Sequence, residues 1–123
     1  MHAYDLDGVL CPEYSYIPGK NAEQILLMTL SLQPIFQPKH PYAIITGRTN
    51  VNVTMQWIQE NLKLQPKYIF INEENLKPEL FKTQTLNSHP NIEYFTESCP
   101  EQTKYIRKYI ATNCYVRNIN DHF

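Results

Sequence analysis

The sequence predicts an α/β domain with a parallel sheet and helices on both faces. Three observations carry this. Short apolar runs recur along the chain, helical periodicities separate them, and the polar clusters fall just after the runs. Strands joined by helical crossovers pair in parallel and need helices on both faces. At 123 residues the chain can bury one core and not two, so a single domain spanning residues 1–123 is expected.

The elements follow in order. Met1 to Tyr4 is a stub of strand, ended by Asp5. Residues 11–20, CPEYSYIPGK, hold two prolines and a glycine without periodicity and read as a loop. Asn21 can cap a helix in which Ala22, Ile25, Leu26, Thr29 and Leu30 share one face. Pro34, Pro38 and Pro41 then punctuate a turn. YAIITGR at 42–48 is a buried strand ending in glycine. Val51, Met55, Ile58 and Leu62 mark a second helix. KYIFIN at 67–72 is a third strand, rich in β-branched and aromatic residues. Pro78 opens a third helix that runs to Leu86. NIEYFTE at 91–97 is a fourth strand, Tyr105, Ile106, Tyr109 and Ile110 mark a fourth helix, and CYVRNI at 114–119 is a fifth strand.

Composition narrows the function classes. Hydrophobic content of 42% and charged content of 19% suit a soluble globular chain. A net charge of −1 leaves no electrostatic footprint for nucleic acid or an anionic membrane. No run reaches the roughly 18 apolar residues of a membrane span, and no signal peptide is visible. Cys11, Cys99 and Cys114 are odd in number and lack C-x-x-C spacing, which argues against a zinc site or disulfide framework. A reducing compartment, the cytoplasm, is expected. The sequon Asn52-Val53-Thr54 falls inside a helical pattern and reads as chance. The Walker, GxGxxG, GxSxG and HExxH patterns are all missing.

In open parallel sheets, ligands bind beyond the carboxyl ends of the strands. Asp5 and Asp7 follow the first strand, Thr46, Gly47 and Arg48 end the second, and Glu97 and Ser98 end the fourth. Lys82 lies on the helix before the fourth strand. Carboxylates, a hydroxyl with free amides and a cation therefore converge on one crevice. Each also has a structural explanation. Asp7-Gly8 is a common turn dipeptide, Gly47 suits a positive-φ turn, and a surface lysine is ordinarily solvated.

These residues resemble the motifs of the haloacid dehalogenase superfamily. Asp5-Leu6-Asp7-Gly8-Val9-Leu10 is similar to its first motif, DxDGxL. Ile45-Thr46-Gly47-Arg48 resembles the second, Phe81-Lys82 the lysine of the third, and Phe95-Thr96-Glu97-Ser98 the acidic fourth. The resemblance spans residues 4–98 and implies a Rossmann-like three-layer α/β/α fold with strand order 5-4-1-2-3. It also implies a Mg²⁺-dependent phosphomonoesterase that works through an aspartyl-phosphate. Asp5 would be the nucleophile and Asp7 the acid and base. Thr46, Gly47 and Lys82 would bind the transferring phosphoryl group, and Lys82 would also serve catalysis. Asp5, Asp7 through its backbone carbonyl, and Glu97 would hold Mg²⁺. Arg48 either binds substrate or caps a surface, and Tyr14 and Tyr16 overhang the site. Lys77 competes with Lys82 for the third-motif role.

The chain departs from the family at Ser98, where a second acid is usual. Ser98-x-x-Glu101 reads instead as a capping box for a helix beginning near Pro100, leaving Glu97 to serve the metal alone. Asp121 reads as a tail residue. Neither Leu10 to the first helix nor Asn72 to Lys77 leaves room for a cap domain, so the site is expected to be open. An open site admits large substrates, or relies on an oligomer or partner for cover. The substrate classes include a nucleotide, a polynucleotide end or another phosphorylated metabolite, as in polynucleotide kinase-phosphatases, although the charge does not support a strong nucleic-acid grip. The alternative is a degenerate member that binds phosphate without turnover. Ser98 is its only sequence support, and an acid at Asp7 counts against it. The short first strand, with His2 inside it, is expected to be strained or frayed.

Overall fold

The computed structural model describes residues 1–13 and 17–121. Five strands, β1 (His2–Tyr4), β2 (Tyr42–Thr46), β3 (Tyr68–Ile71), β4 (Tyr94–Glu97) and β5 (Tyr115–Asn118), form one sheet. Its order is β3-β2-β1-β4-β5, and every pairing is parallel. Four α-helices connect them: α1 (Ala22–Met28), continued by a 3₁₀ turn at Thr29–Ser31, α2 (Val51–Asn61), α3 (Pro78–Ser88) and α4 (Pro100–Tyr109). This is the expected Rossmann-like α/β fold in the expected strand order. No helix among the described residues is long and apolar enough to cross a membrane.

The period-two alternation of each strand splits the core in two. Ala3, Ala43, Ile45, Phe95 and Val116 point to one face and pack with Leu86 of α3 and Ile106 of α4. Tyr42 and Ile44 point to the other and pack with Trp57 and Ile58 of α2. Trp57 is fully buried, and its indole N–H donates to the Leu32 carbonyl at 3.1 Å. β2 is buried along its whole length, as a strand covered on both faces should be.

The covering is uneven. On the α2 side, Tyr94 and Tyr115 at the β4–β5 end of the sheet stay 45% and 51% exposed. Their register partners show why they share a face with His2: Tyr94 pairs with both His2 and Tyr115.

The first strand is short but not frayed. His2, Ala3 and Tyr4 pair with β2 on one side and β4 on the other. The Met1 amino group donates to the Asn91 carbonyl at 3.0 Å, and the His2 ring stacks on Tyr94 at 4.6 Å. Two ladders and this stacking hold a segment that would be marginal alone.

Helix starts follow the sequence in part. Asn21 caps α1 through a reciprocal box with Gln24, and Asn50 caps α2 through the Val53 amide. The box expected at Ser98 and Glu101 does not form. Cys99 is the cap residue of α4 and makes no side-chain cap bond, while the Ser98 hydroxyl donates to the Asp7 carbonyl at 3.0 Å. Pro100 at the first helical position starts the helix, where its missing N–H costs nothing.

Candidate active site

The segment after β1 is a turn plugged into the core from below. The amides of Leu10 and Cys11 both donate to the Leu6 carbonyl at 2.9 Å, and the Gly8 amide donates to the Cys11 carbonyl at 2.7 Å. Leu6, Val9, Leu10 and Cys11 are fully buried beneath it. With those four side chains anchored, Asp5 and Asp7 line a hollow of about 260 Å³ at the carboxyl end of the sheet. Gly8 makes the turn at φ +81°, and a Cβ there would lie 2.6 Å from Ser98 Oγ.

Most of the sequence-derived residues meet in this hollow. Asp5, Asp7, Gly47, Arg48, Lys82 and Glu97 all line it. Thr46 does not. It is buried beneath, and its Oγ1 accepts from the Arg48 amide at 3.2 Å. Lys77 is exposed at the cap position of α3, whereas Lys82 is 2% exposed and faces the carboxylates. Asp121 lies elsewhere, paired with Arg107 at 3.1 Å. Tyr14 and Tyr16 fall outside the described residues.

Lys82 is the electrostatic centre. Its Nζ sits 2.6 Å from Glu97 Oε1, 2.7 Å from Gln102 Oε1 and 3.2 Å from Asp5 Oδ1. Burial works against its charge, but Asp5 and Glu97 outweigh it and raise its pKa. Glu97 is fully buried, with Oε2 accepting from the Ser98 and Cys99 amides at 2.8 and 3.1 Å. Burial would raise its pKa, yet the Lys82 charge and these bonds hold it below the usual carboxylate range. Asp5 goes the other way. Burial, opposed by Lys82 and reinforced by the adjacent Glu97, pushes its carboxyl well above the usual range.

Arg48 grips Asp7 with two parallel bonds, Nε to Oδ2 at 2.8 Å and Nη2 to Oδ1 at 2.5 Å. Such a fork fixes a carboxylate in orientation as well as charge. The Arg48 side chain is almost wholly buried while Asp7 stays 30% exposed, so the acid faces the hollow and the cation backs it. Cys11 lies behind, 3.7 Å from Nη2, and burial lifts its thiol to about 11.

The donor set suits a hard divalent cation in part. Three carboxyls face two fixed cations, all the anionic donors are oxygens, and the elevated Asp5 carboxyl reports excess negative charge. Mg²⁺ takes one or two carboxylates and completes its shell with water. Among the described residues no three His, Cys, Asp or Glu side chains form a ready ligand cluster. Glu97, expected as a direct ligand, has both oxygens engaged by Lys82 and two amides. It supplies charge from behind Asp5, and the groups nearest the hollow are Asp5 and Asp7.

Three participants escaped sequence reasoning. Gln102 reaches Lys82 from α4, Ser98 ties α4 to the Asp7 turn, and Glu13 lines the rim. Gln102 lies one helical turn after Ser98 on the segment following β4, the only signal that could have found it.

Comparison with known proteins returned no matching family model, no matching curated protein and no matching solved structure.

Proposed function

We propose that the protein is a Mg²⁺-dependent phosphomonoesterase of the haloacid dehalogenase type, acting through a phosphoryl group carried on Asp5. The observation that supports this most is the pairing of two aspartates with opposite settings. Asp5 is buried beside a lysine, and Asp7 is half-open and held by an arginine. One suits attack and the other proton transfer.

In the forward half-reaction, an Asp5 oxygen bonds to phosphorus as the phosphorus–alcohol oxygen bond breaks. Asp7 gives its proton to the departing alcohol. In the second half, Asp7 takes a proton from water as that water attacks phosphorus and frees Asp5, releasing inorganic phosphate. The Gly47 amide and Lys82 hold the phosphoryl oxygens, which carry the negative charge throughout. Arg48 keeps Asp7 aimed, and Glu97 with Gln102 keeps Lys82 aimed. Mg²⁺, held by Asp5 and Asp7 with Glu97 behind them, would neutralise the phosphate and lower the repulsion that Asp5 meets as it approaches. Three unpaired cysteines suit a reducing, cytoplasmic setting.

A second reading, a phosphate-binding module without turnover, is favoured by one feature, the full engagement of the Glu97 oxygens. Hydrolysis of an aryl phosphate with and without Mg²⁺, wild type beside Asp5→Asn, separates the two. Mg²⁺-dependent turnover lost in Asp5→Asn is expected. Phosphate binding with no turnover would support the module instead.

A further inference from the structure

Two hollows meet at the carboxyl end of the sheet and share Asp7 and Glu13. The first holds Asp5, Lys82 and Gly47. The second, about 240 Å³, is walled by Asp7, Glu13, Ala22, Ile25, Leu26 and Thr29. It touches none of Asp5, Lys82 or Gly47.

The argument rests on the phosphatase reading, in which Asp7 hands its proton to the leaving oxygen. The alcohol must then lie on the Asp7 side of the phosphoryl group, where the second hollow opens. The walls of that hollow decide which alcohol fits. Ile25 and Leu26 of α1 are only half-buried and offer apolar surface. The Thr29 hydroxyl is already spent, donating to the Leu26 carbonyl at 2.5 Å. Among the described residues, no lysine or arginine lines this hollow, and Asp7 and Glu13 make it acidic. Arg48 lines the first hollow and is committed to Asp7. A leaving group bearing further phosphates or carboxylates would meet two acids without a compensating cation. A hydrophobic one would bury apolar surface on α1.

We propose that the substrate is the phosphomonoester of a hydrophobic alcohol, one that is uncharged or carries a positive charge toward Glu13, and that Ile25 and Leu26 select it. Anionic alcohols, nucleotide and polynucleotide ends among them, are disfavoured.

Binding of unreactive analogues tests this independently of turnover. Benzylphosphonate and phosphonoacetate share the phosphonate and differ in an apolar ring against a carboxylate. Calorimetry with Mg²⁺ would compare them on wild type, Leu26→Lys, Leu26→Gln and Glu13→Gln, with circular dichroism confirming that each variant is folded. Wild type is expected to prefer benzylphosphonate by about tenfold or more. Leu26→Lys is expected to erase that preference, Leu26→Gln to reduce it, and Glu13→Gln to strengthen phosphonoacetate alone. Equal affinities, a preference for phosphonoacetate, no binding of either analogue, or a ratio unmoved by every substitution would overturn the proposal. Selective binding without hydrolysis of any phosphomonoester would keep the hollow and sink the phosphatase reading. Hydrolysis without the preference would do the reverse.

Discussion

Lys82, Asp5 and Glu97 form a buried triad in which one cation serves two carboxyls. Removing the cation leaves two buried acids uncompensated, so Lys82→Met is expected to cost about 3–5 kcal/mol by denaturant unfolding. Asp5 gives a pH signature. Its folded pKa lies above its unfolded one, so ionising it costs stability as pH rises from the unfolded carboxyl range, about 4, through the raised folded value. Without divalent cation, Asp5→Asn is therefore expected to melt above wild type at neutral pH, with the gap closing as pH falls toward about 4. A gap that widens on acidification would contradict the placement of Asp5. Among the single residues, Asp5, Asp7, Gly47 and Lys82 were legible because their positions after strands, or on the helix before one, follow from the apolar pattern. The engagement of Glu97 was not. Local sequence shows an acid beside a serine, but only the tertiary packing brings Lys82 and two amides to both of its oxygens.

The turn after β1 and the start of α3 are where backbone shape carries the site. Gly47 touches Pro78, and a Cβ on Gly47 would stand 2.9 Å from Pro78 Cβ and 3.2 Å from its Cγ. The proline ring cannot swing aside, so Gly47→Ala is expected to shift the start of α3, cost about 1–3 kcal/mol in unfolding and weaken phosphate binding. Gly8→Ala would combine a positive φ with a 2.6 Å clash on Ser98 Oγ. Ser98→Ala in that background is expected to recover only the clash. Helix and strand positions were read well wherever apolar spacing was clear, as in α2. The capping box at Ser98 was misread because a Ser-x-x-Glu pattern carries no information about a carbonyl 91 positions away. The Asp7 carbonyl takes the hydroxyl, and Pro100 starts the helix without it.

Over the molecule as a whole, alternating elements sufficed to give the parallel sheet, and the family resemblance its strand order. The thin covering at the β4–β5 end was not visible, because Tyr94 and Tyr115 alternate with buried Phe95 and Val116 as core-facing tyrosines would. A cation bound only by the folded chain stabilises it, by about 2.7 kcal/mol at a hundred times Kd. Mg²⁺ is therefore expected to raise the melting temperature of wild type and to have little effect on Asp5→Asn, as thermal scans would report. The central claim is that Asp5 carries the phosphoryl group, and the most direct measurement is to trap it. Asp7→Asn, mixed with an aryl phosphate and Mg²⁺ and quenched in acid, should yield an Asp5-containing peptide heavier by one phosphoryl group, absent from Asp5→Asn/Asp7→Asn. Turnover in wild type with Asp5 never modified, or turnover that persists in Asp5→Asn, would contradict the account.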